Sequence, residues 1–261
     1  MTTTVAPTES TVEVAGLTMR AWEKGIGSPI VVLHPSFGNH WNELHDDLAA
    51  DHRVLALFLP GFDGTERPDW ARHPRDFALL VGAWLREIVR DPVTLVGFEF
   101  SGWVAAELAT MAPELLDRLV LVGSAGLLPD EGQIFDMMIV SHSEYVRTAF
   151  SSPDAYNRLY GGELSDELLL RWDVNRETVA RTAWKPYMYN RTLAPMLTAT
   201  DVPTLLVWGE LDRIMPRSCA HRFRDLLPDA RLEIVARCGN AVGYERPTEL
   251  AALIRGFETT D

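Results

Sequence analysis

The sequence predicts an α/β fold in which a mostly parallel, twisted sheet of about eight strands carries helices on both faces and a helical lid. Three observations lead there. Apolar runs of about five residues alternate with longer amphipathic stretches, as in a sheet whose strands are joined by covering helices. The short runs are nearly continuous in apolar character, as expected for strands buried on both faces. From about Leu127 to Thr200 this rhythm stops: the segment is rich in Met, Trp and Tyr, reads as several helices and offers no sheet strand. A helical insertion between two strands of a parallel sheet has to sit at one end of that sheet, which makes it a lid.

In chain order, Val12–Ala15 and Leu17–Trp22 flank Gly16 and read as an opening antiparallel hairpin. Six buried strands follow at Ile30–His34, Val54–Leu59, Val93–Gly97, Leu119–Val122, Thr204–Trp208 and Leu232–Val235. Helices are expected over Asn42–Ala50, Pro74–Arg90, Gly102–Met111 and Thr248–Phe257, the second closed by the proline stop at Pro92. Residues 1–11 read as a loose polar tail, 12–126 and 201–261 as the core, and 127–200 as the lid.

Composition narrows the function. Lys and Arg number 24 against 37 Asp and Glu, a net charge of −13, which argues against a nucleic-acid partner needing a basic footprint. A hydrophobic fraction of 47% is too high for a disordered chain. No apolar run approaches the ~20 residues that span a bilayer, so no membrane partner is expected. Cys219 and Cys238 form neither a disulfide framework nor a paired zinc motif and read as free thiols. With no signal-peptide pattern in Met1–Ser10, the expectation is a cytoplasmic protein. Nothing implies a metal or an organic cofactor, and the oligomeric state is open.

Four motifs sit at strand ends. His34-Pro35-Ser36-Phe37-Gly38 follows the first buried strand, and Leu59-Pro60-Gly61-Phe62-Asp63-Gly64 is a glycine-containing turn after the second. The third strand runs into Gly97-Phe98-Glu99-Phe100-Ser101, with small residues two before and two after Glu99, as a sharp strand-to-helix elbow requires. The fourth motif is in two parts, Val202–Asp212 and the loop Arg237–Pro247, which contains Asn240.

Together with the strand order and lid position, these motifs resemble the α/β-hydrolase fold over about residues 12–257. The resemblance implies an oxyanion hole from the backbone of Ser36 and Phe100, a nucleophile position at Glu99, an acid position at Asp212 and a base position at Asn240. Two of these depart from the usual chemistry. Glutamate stands where serine, cysteine or aspartate is expected, and asparagine, which cannot relay a proton near neutral pH, stands in place of histidine. Ordinary serine hydrolysis is therefore not expected. A glutamate nucleophile is also disfavoured, because one extra methylene overshoots the attack position by roughly 1.5 Å. His34, His40 and His142 are the histidines that could stand in; His45, His52, His73 and His221 fall on helices or distal turns.

The chain therefore resembles an atypical branch lacking the Ser and His of the triad, similar in logic to the bottromycin-pathway peptide epimerase. Desolvation and the charge of Asp212 are expected to raise the pKa of Glu99 and make it an acid or base. The main reading is non-hydrolytic chemistry next to a carbonyl: epimerisation, elimination, cyclisation or C–C cleavage. The first alternative is an ester, epoxide or C–C hydrolase using Glu99 as nucleophile or base. The second is a non-catalytic binding protein, with Glu99 held by Asn240 or a lid tyrosine. The expected partner is a large apolar small molecule or modified peptide, and the candidate walls are His34, Phe37, Phe98, Trp103, Trp184, Tyr187, Met188, Val242 and Tyr244.

Overall fold

The computed structural model describes residues 6–161 and 163–259. An eight-stranded sheet runs in the order β1-β2-β4-β3-β5-β6-β7-β8. Its strands are β1 (Thr8–Val14), β2 (Leu17–Lys24), β3 (Pro29–Leu33), β4 (Arg53–Leu57), β5 (Val93–Phe98), β6 (Leu116–Val122), β7 (Thr204–Gly209) and β8 (Ala230–Val235). β1 and β2 pair antiparallel, as do β2 and β4; the pairs from β4 through β8 are parallel.

The first strand corrects the expected tail. β1 pairs with β2 from Thr8↔Glu23 onward, so residues 8–11 are sheet edge. An edge strand wet on both faces carries no apolar alternation, and that is why Thr-Glu-Ser-Thr looked structureless. Residues 1–5 of that segment lie outside the described residues. At the other edge, β8 is only partly buried, with Ile234 38% exposed, rather than covered on both faces as expected.

The helices are α1 (Glu43–Leu48), α2 (Pro74–Ile88), α3 (Glu99–Met111), α4 (His142–Ala149), α5 (Pro153–Tyr160), α6 (Asp166–Ala183), α7 (Leu193–Leu197), α8 (Arg217–Leu226), α9 (Val242–Glu245) and α10 (Pro247–Glu258). Local chemistry sets their starts. Pro74 opens α2 behind His73, whose ring accepts from the Arg75 amide while Asp76 caps backward. Ser141, Ser152 and Ser165 accept amides at the starts of α4, α5 and α6. α8 was not expected, because three arginines among its ten residues hide the buried stripe of Cys219, Ala220 and Phe223.

Two apolar layers cover the sheet. One holds Val31, Leu33 and Leu95 against Phe77, Trp84 and Leu108 of α2 and α3, and continues into the lid through Tyr145 and Trp172. The other holds Ile30, Val32 and Val96 against Leu44 and Leu48 of α1 and Leu250 and Ile254 of α10. α4 to α7 lie between β6 and β7 in the chain.

The strand order reverses about β3: the chain places β4 on one side of it, then β5 on the other. The connections must diverge there, leaving a crevice beyond the carboxyl ends of β3 and β5. His34–Gly38 and Glu99 emerge at that crevice. No helix among the described residues is long and apolar enough to cross a membrane.

Candidate active site

Glu99 is the first residue of α3, with φ +49°, a left-handed conformation that marks the strained apex of the elbow. The turn closes because Gly97 lacks a side chain: a Cβ there would lie 2.7 Å from the Ser101 carbonyl oxygen and 2.8 Å from the Gly102 Cα. Ser101 locks the turn from inside, its Oγ donating to the Leu33 carbonyl at 2.7 Å and accepting the Phe98 amide at 3.0 Å. The small residue expected there for steric reasons is thus also the bolt between the elbow and β3.

The Glu99 side chain is 1% exposed. Its Oε2 accepts the Ser36 amide at 2.8 Å and its Oε1 accepts the Tyr145 hydroxyl at 2.7 Å. The carboxylate thus lies on the Ser36 amide, the backbone donor that the sequence resemblance implies for an oxyanion hole. Burial pushes the Glu99 carboxyl up, against hydrogen bonds from Ser36 and Tyr145 that pull it down. Burial and the nearby Glu99 carboxylate push the Tyr145 phenol far above its ordinary range, so Tyr145 is a donor.

Asp212 and Asn240 form the second pair. Asp212 accepts the Ile214 and Met215 amides through Oδ1, both at 2.8 Å, and the Asn240 amide through Oδ2 at 2.8 Å. Asn240 Nδ2 also donates to the Gly123 carbonyl at 3.2 Å. Gly123, at φ +52°, leaves room for this, since a Cβ there would lie 2.4 Å from Asn240 Nδ2. Burial pushes Asp212 up to about 7, and Glu99 adds to the rise. The Asn240 loop is pinned to the lid: Glu245 accepts the Ser151 amide at 2.9 Å, the Ser151 hydroxyl and the Gly239 amide at 2.8 Å, and the Ala241 amide reaches Ala149 at 2.9 Å.

Among the described residues no hydrogen bond joins Glu99 to Asn240; of the two partners expected, the lid tyrosine takes the carboxylate. The stand-in histidines do not reach it either. His34 Nδ1 lies 2.8 Å from the Pro35 carbonyl and its Nε2 accepts the Leu59 amide at 3.1 Å, so both ring nitrogens tie the loops after β3 and β4 together. Burial lowers its pKa, keeping it neutral.

Several expected wall residues lie elsewhere. Trp103 is core, its indole N–H donating to Glu107 at 3.0 Å and its ring edge-on to His73. Phe98 and Val242 point into the layer with α1 and α10, on the sheet face away from the lid. The Phe100 side chain packs on Phe62 and Phe77, leaving only its backbone near Glu99. Trp184 is 50% exposed and rests on Tyr187. Met188 is buried, and its backbone bonds Gly126. Phe37 is buried against Tyr244, and the Tyr187 hydroxyl bridges Met137 and Phe135. Sequence reasoning missed Tyr145. Its spacing from His142 marks a helix face, but only the docking of α4 shows that the face meets Glu99. No cluster of metal-binding side chains occurs among the described residues.

Comparison with known proteins agrees with this fold. The chain is 26% identical over 270 residues to a 2-hydroxy-6-oxo-6-(2'-aminophenyl)hexa-2,4-dienoic acid hydrolase of Metapseudomonas resinovorans, covering 95% of this chain and 90% of that one. It is 27% identical over 263 residues to a 2-hydroxymuconate semialdehyde hydrolase of Pseudomonas sp. strain CF600, covering 93% and 91%. In fold it is similar to the 2-hydroxy-6-oxo-6-phenylhexa-2,4-dienoate hydrolase of Rhodococcus sp. strain RHA1, with a TM-score of 0.80, 20% identity and coverage of 98% and 100%. These likenesses favour the hydrolase alternative over the epimerase reading. Residues 30–253 match the alpha/beta hydrolase family, and the chain belongs to it.

Proposed function

We propose that this protein hydrolyses a carbon–carbon bond next to a carbonyl, with Glu99 as general base and then general acid. The observation that carries the reading is the buried, pKa-raised Glu99 carboxyl at the elbow apex, hydrogen-bonded to the Ser36 amide and Tyr145. A carboxyl tuned upward by burial suits both proton removal and proton return near neutral pH. The hydrolase names of the relatives support the same reaction class.

Substrate displaces the carboxylate from the Ser36 amide, and its carbonyl oxygen takes that place beside the Phe100 amide. Glu99 then removes a proton from water as the water adds to the carbonyl carbon. The Asn240 amide nitrogen is committed to Asp212 and Gly123, which leaves its Oδ1 to accept from that water. The adduct breaks its bond to the neighbouring carbon, the electron pair passes into an enolate, and the proton on Glu99 returns to that carbon. The products are a carboxylic acid and a ketone, together equal to substrate plus water. Tyr145, held protonated, orients Glu99 throughout.

Benzoylacetone and a 2-hydroxy-6-oxohexa-2,4-dienoate, each incubated in H₂¹⁸O, provide the test. The new carboxyl gains ¹⁸O, and Glu99→Gln lowers kcat by about 100-fold or more. The rate rises with pH through a value above the ordinary carboxyl range, because the base form is the active one. Ligand binding without turnover is the second reading, favoured by the engagement of the Ser36 amide by Glu99 itself. Saturable binding with no cleavage of either compound over hours would establish it instead, whereas full activity in Glu99→Gln would remove Glu99 from the chemistry.

A further inference from the structure

Beyond Tyr145 a continuous chain of rings runs through the lid. Tyr145 neighbours His142 at 5.9 Å between centroids, His142 neighbours Trp172 at 5.9 Å, Trp172 neighbours Tyr160 at 5.2 Å, and Tyr160 neighbours Tyr156 at 5.2 Å. Five polar atoms along it have no hydrogen-bond partner in the protein: both ring nitrogens of His142, the Trp172 indole nitrogen and the hydroxyls of Tyr156 and Tyr160. These are half of the ten such buried side-chain atoms among the described residues, gathered on three lid helices. Trp172 is wholly buried and His142 is 3% exposed. A buried polar atom without a partner is costly to desolvate, so five in one cluster are not incidental.

We propose that this ring cluster is a binding site for an uncharged aromatic group bearing a hydroxyl, hydrogen-bonded to His142 and Trp172 and stacked among the lid rings. The inference deepens the acid–base reading by naming the class of substrate, and it rests on that reading for the reaction alone.

The atoms dictate the class. Trp172 offers only a donor, whereas a neutral imidazole offers one donor and one acceptor, so a hydroxyl, which both donates and accepts, pairs with the two together. The site itself is uncharged: burial and Arg176 push His142 down to about 4, and burial raises the phenol of Tyr160. Arg176 donates to the Met138 carbonyl at 2.8 Å. Arg171 lines an outer groove with Arg20 and Glu167. A surface groove of about 390 Å³, walled by Arg147, Pro153, Tyr156 and Arg213, reaches the far end of the chain at Tyr156.

Calorimetric titration of the full chain with 4'-hydroxyacetophenone, acetophenone and 4-hydroxybenzoate tests the proposal. The expected result is saturable binding of the hydroxyketone, about tenfold weaker binding without the hydroxyl, and no comparable binding of the carboxylate. Trp172→Phe and His142→Phe, which keep the rings, are each expected to weaken the hydroxyketone by about tenfold. Binding of the three compounds to Glu99→Gln is expected to keep the same order, so failure of the chemistry and failure of the site are separate results. The comparison between the two ketones needs no variant and holds even if a substituted lid fails to fold. Equal affinity for both ketones, preference for the carboxylate, absence of saturable binding, or unchanged affinity in both folded variants would overturn the proposal.

Discussion

Glu99 shows how one methylene redirects a side chain. Its oxygens settle on the Ser36 amide and the Tyr145 hydroxyl. Asp212 Oδ2 accepts the side-chain amide of Asn240 at 2.8 Å, the contact that an acid and a base position of a serine triad would share. The double variant Glu99→Ser with Asn240→His is expected to hydrolyse p-nitrophenyl acetate about 100-fold faster than either single variant. Release of p-nitrophenol measures it, and a folded double variant with no gain would show that the base loop is misplaced. Asp212 makes a second prediction at this scale. Its folded pKa of about 7 exceeds the unfolded value of about 3.9, so the folded protein holds an extra proton between those limits. Stability therefore falls as pH rises through that window, by on the order of 4 kcal/mol from this group. Urea unfolding at pH 5 and pH 8 is expected to show this fall reduced in Asp212→Asn, which keeps an oxygen for the Ile214 and Met215 amides.

At the scale of elements, the elbow is the feature the sequence displayed most clearly. A turn this tight admits only small flanking residues, so Gly97 and Ser101 located the apex without any coordinates. Gly97→Ala places a methyl against backbone that cannot yield, and a loss of about 2–4 kcal/mol is expected in urea unfolding. A loss under 0.5 kcal/mol would mean that the turn is looser than described. β3 to β7 were legible because strands covered on both faces carry near-continuous apolar runs. β1, β8 and α8 were not, since elements wet on one or both sides blend into the polar background. The lid helices were visible as a broken rhythm, but their docking was not. Tyr145 and Glu245 therefore emerged only once α4 was seen against the elbow and the Asn240 loop.

The whole molecule buries both cysteines in its two apolar layers. Burial pushes the Cys219 thiol up to about 12 and drives Cys238 higher still, leaving almost no thiolate near neutral pH. Neither thiol is expected to react with a disulfide reagent such as DTNB in the folded protein, and both are expected to react on denaturation. Rapid labelling of one thiol under native conditions would reveal local opening of α8 or of the Asn240 loop. The reversal of strand order about β3 acts at the same scale: it brings loops from distant parts of the chain to one crevice.

The sequence by itself determined the sheet, the elbow, the family resemblance and the identities at the three key positions, because periodicity and turn sterics are local properties of a chain. Only the tertiary structure decided that Glu99 rests on the Ser36 amide under Tyr145, that Phe98 and Val242 lie on the sheet face away from the lid while Trp103 packs in the core, and that the lid rings form one chain. Those outcomes depend on how helices dock and rotate against each other, and docking is set by contacts between residues far apart in sequence.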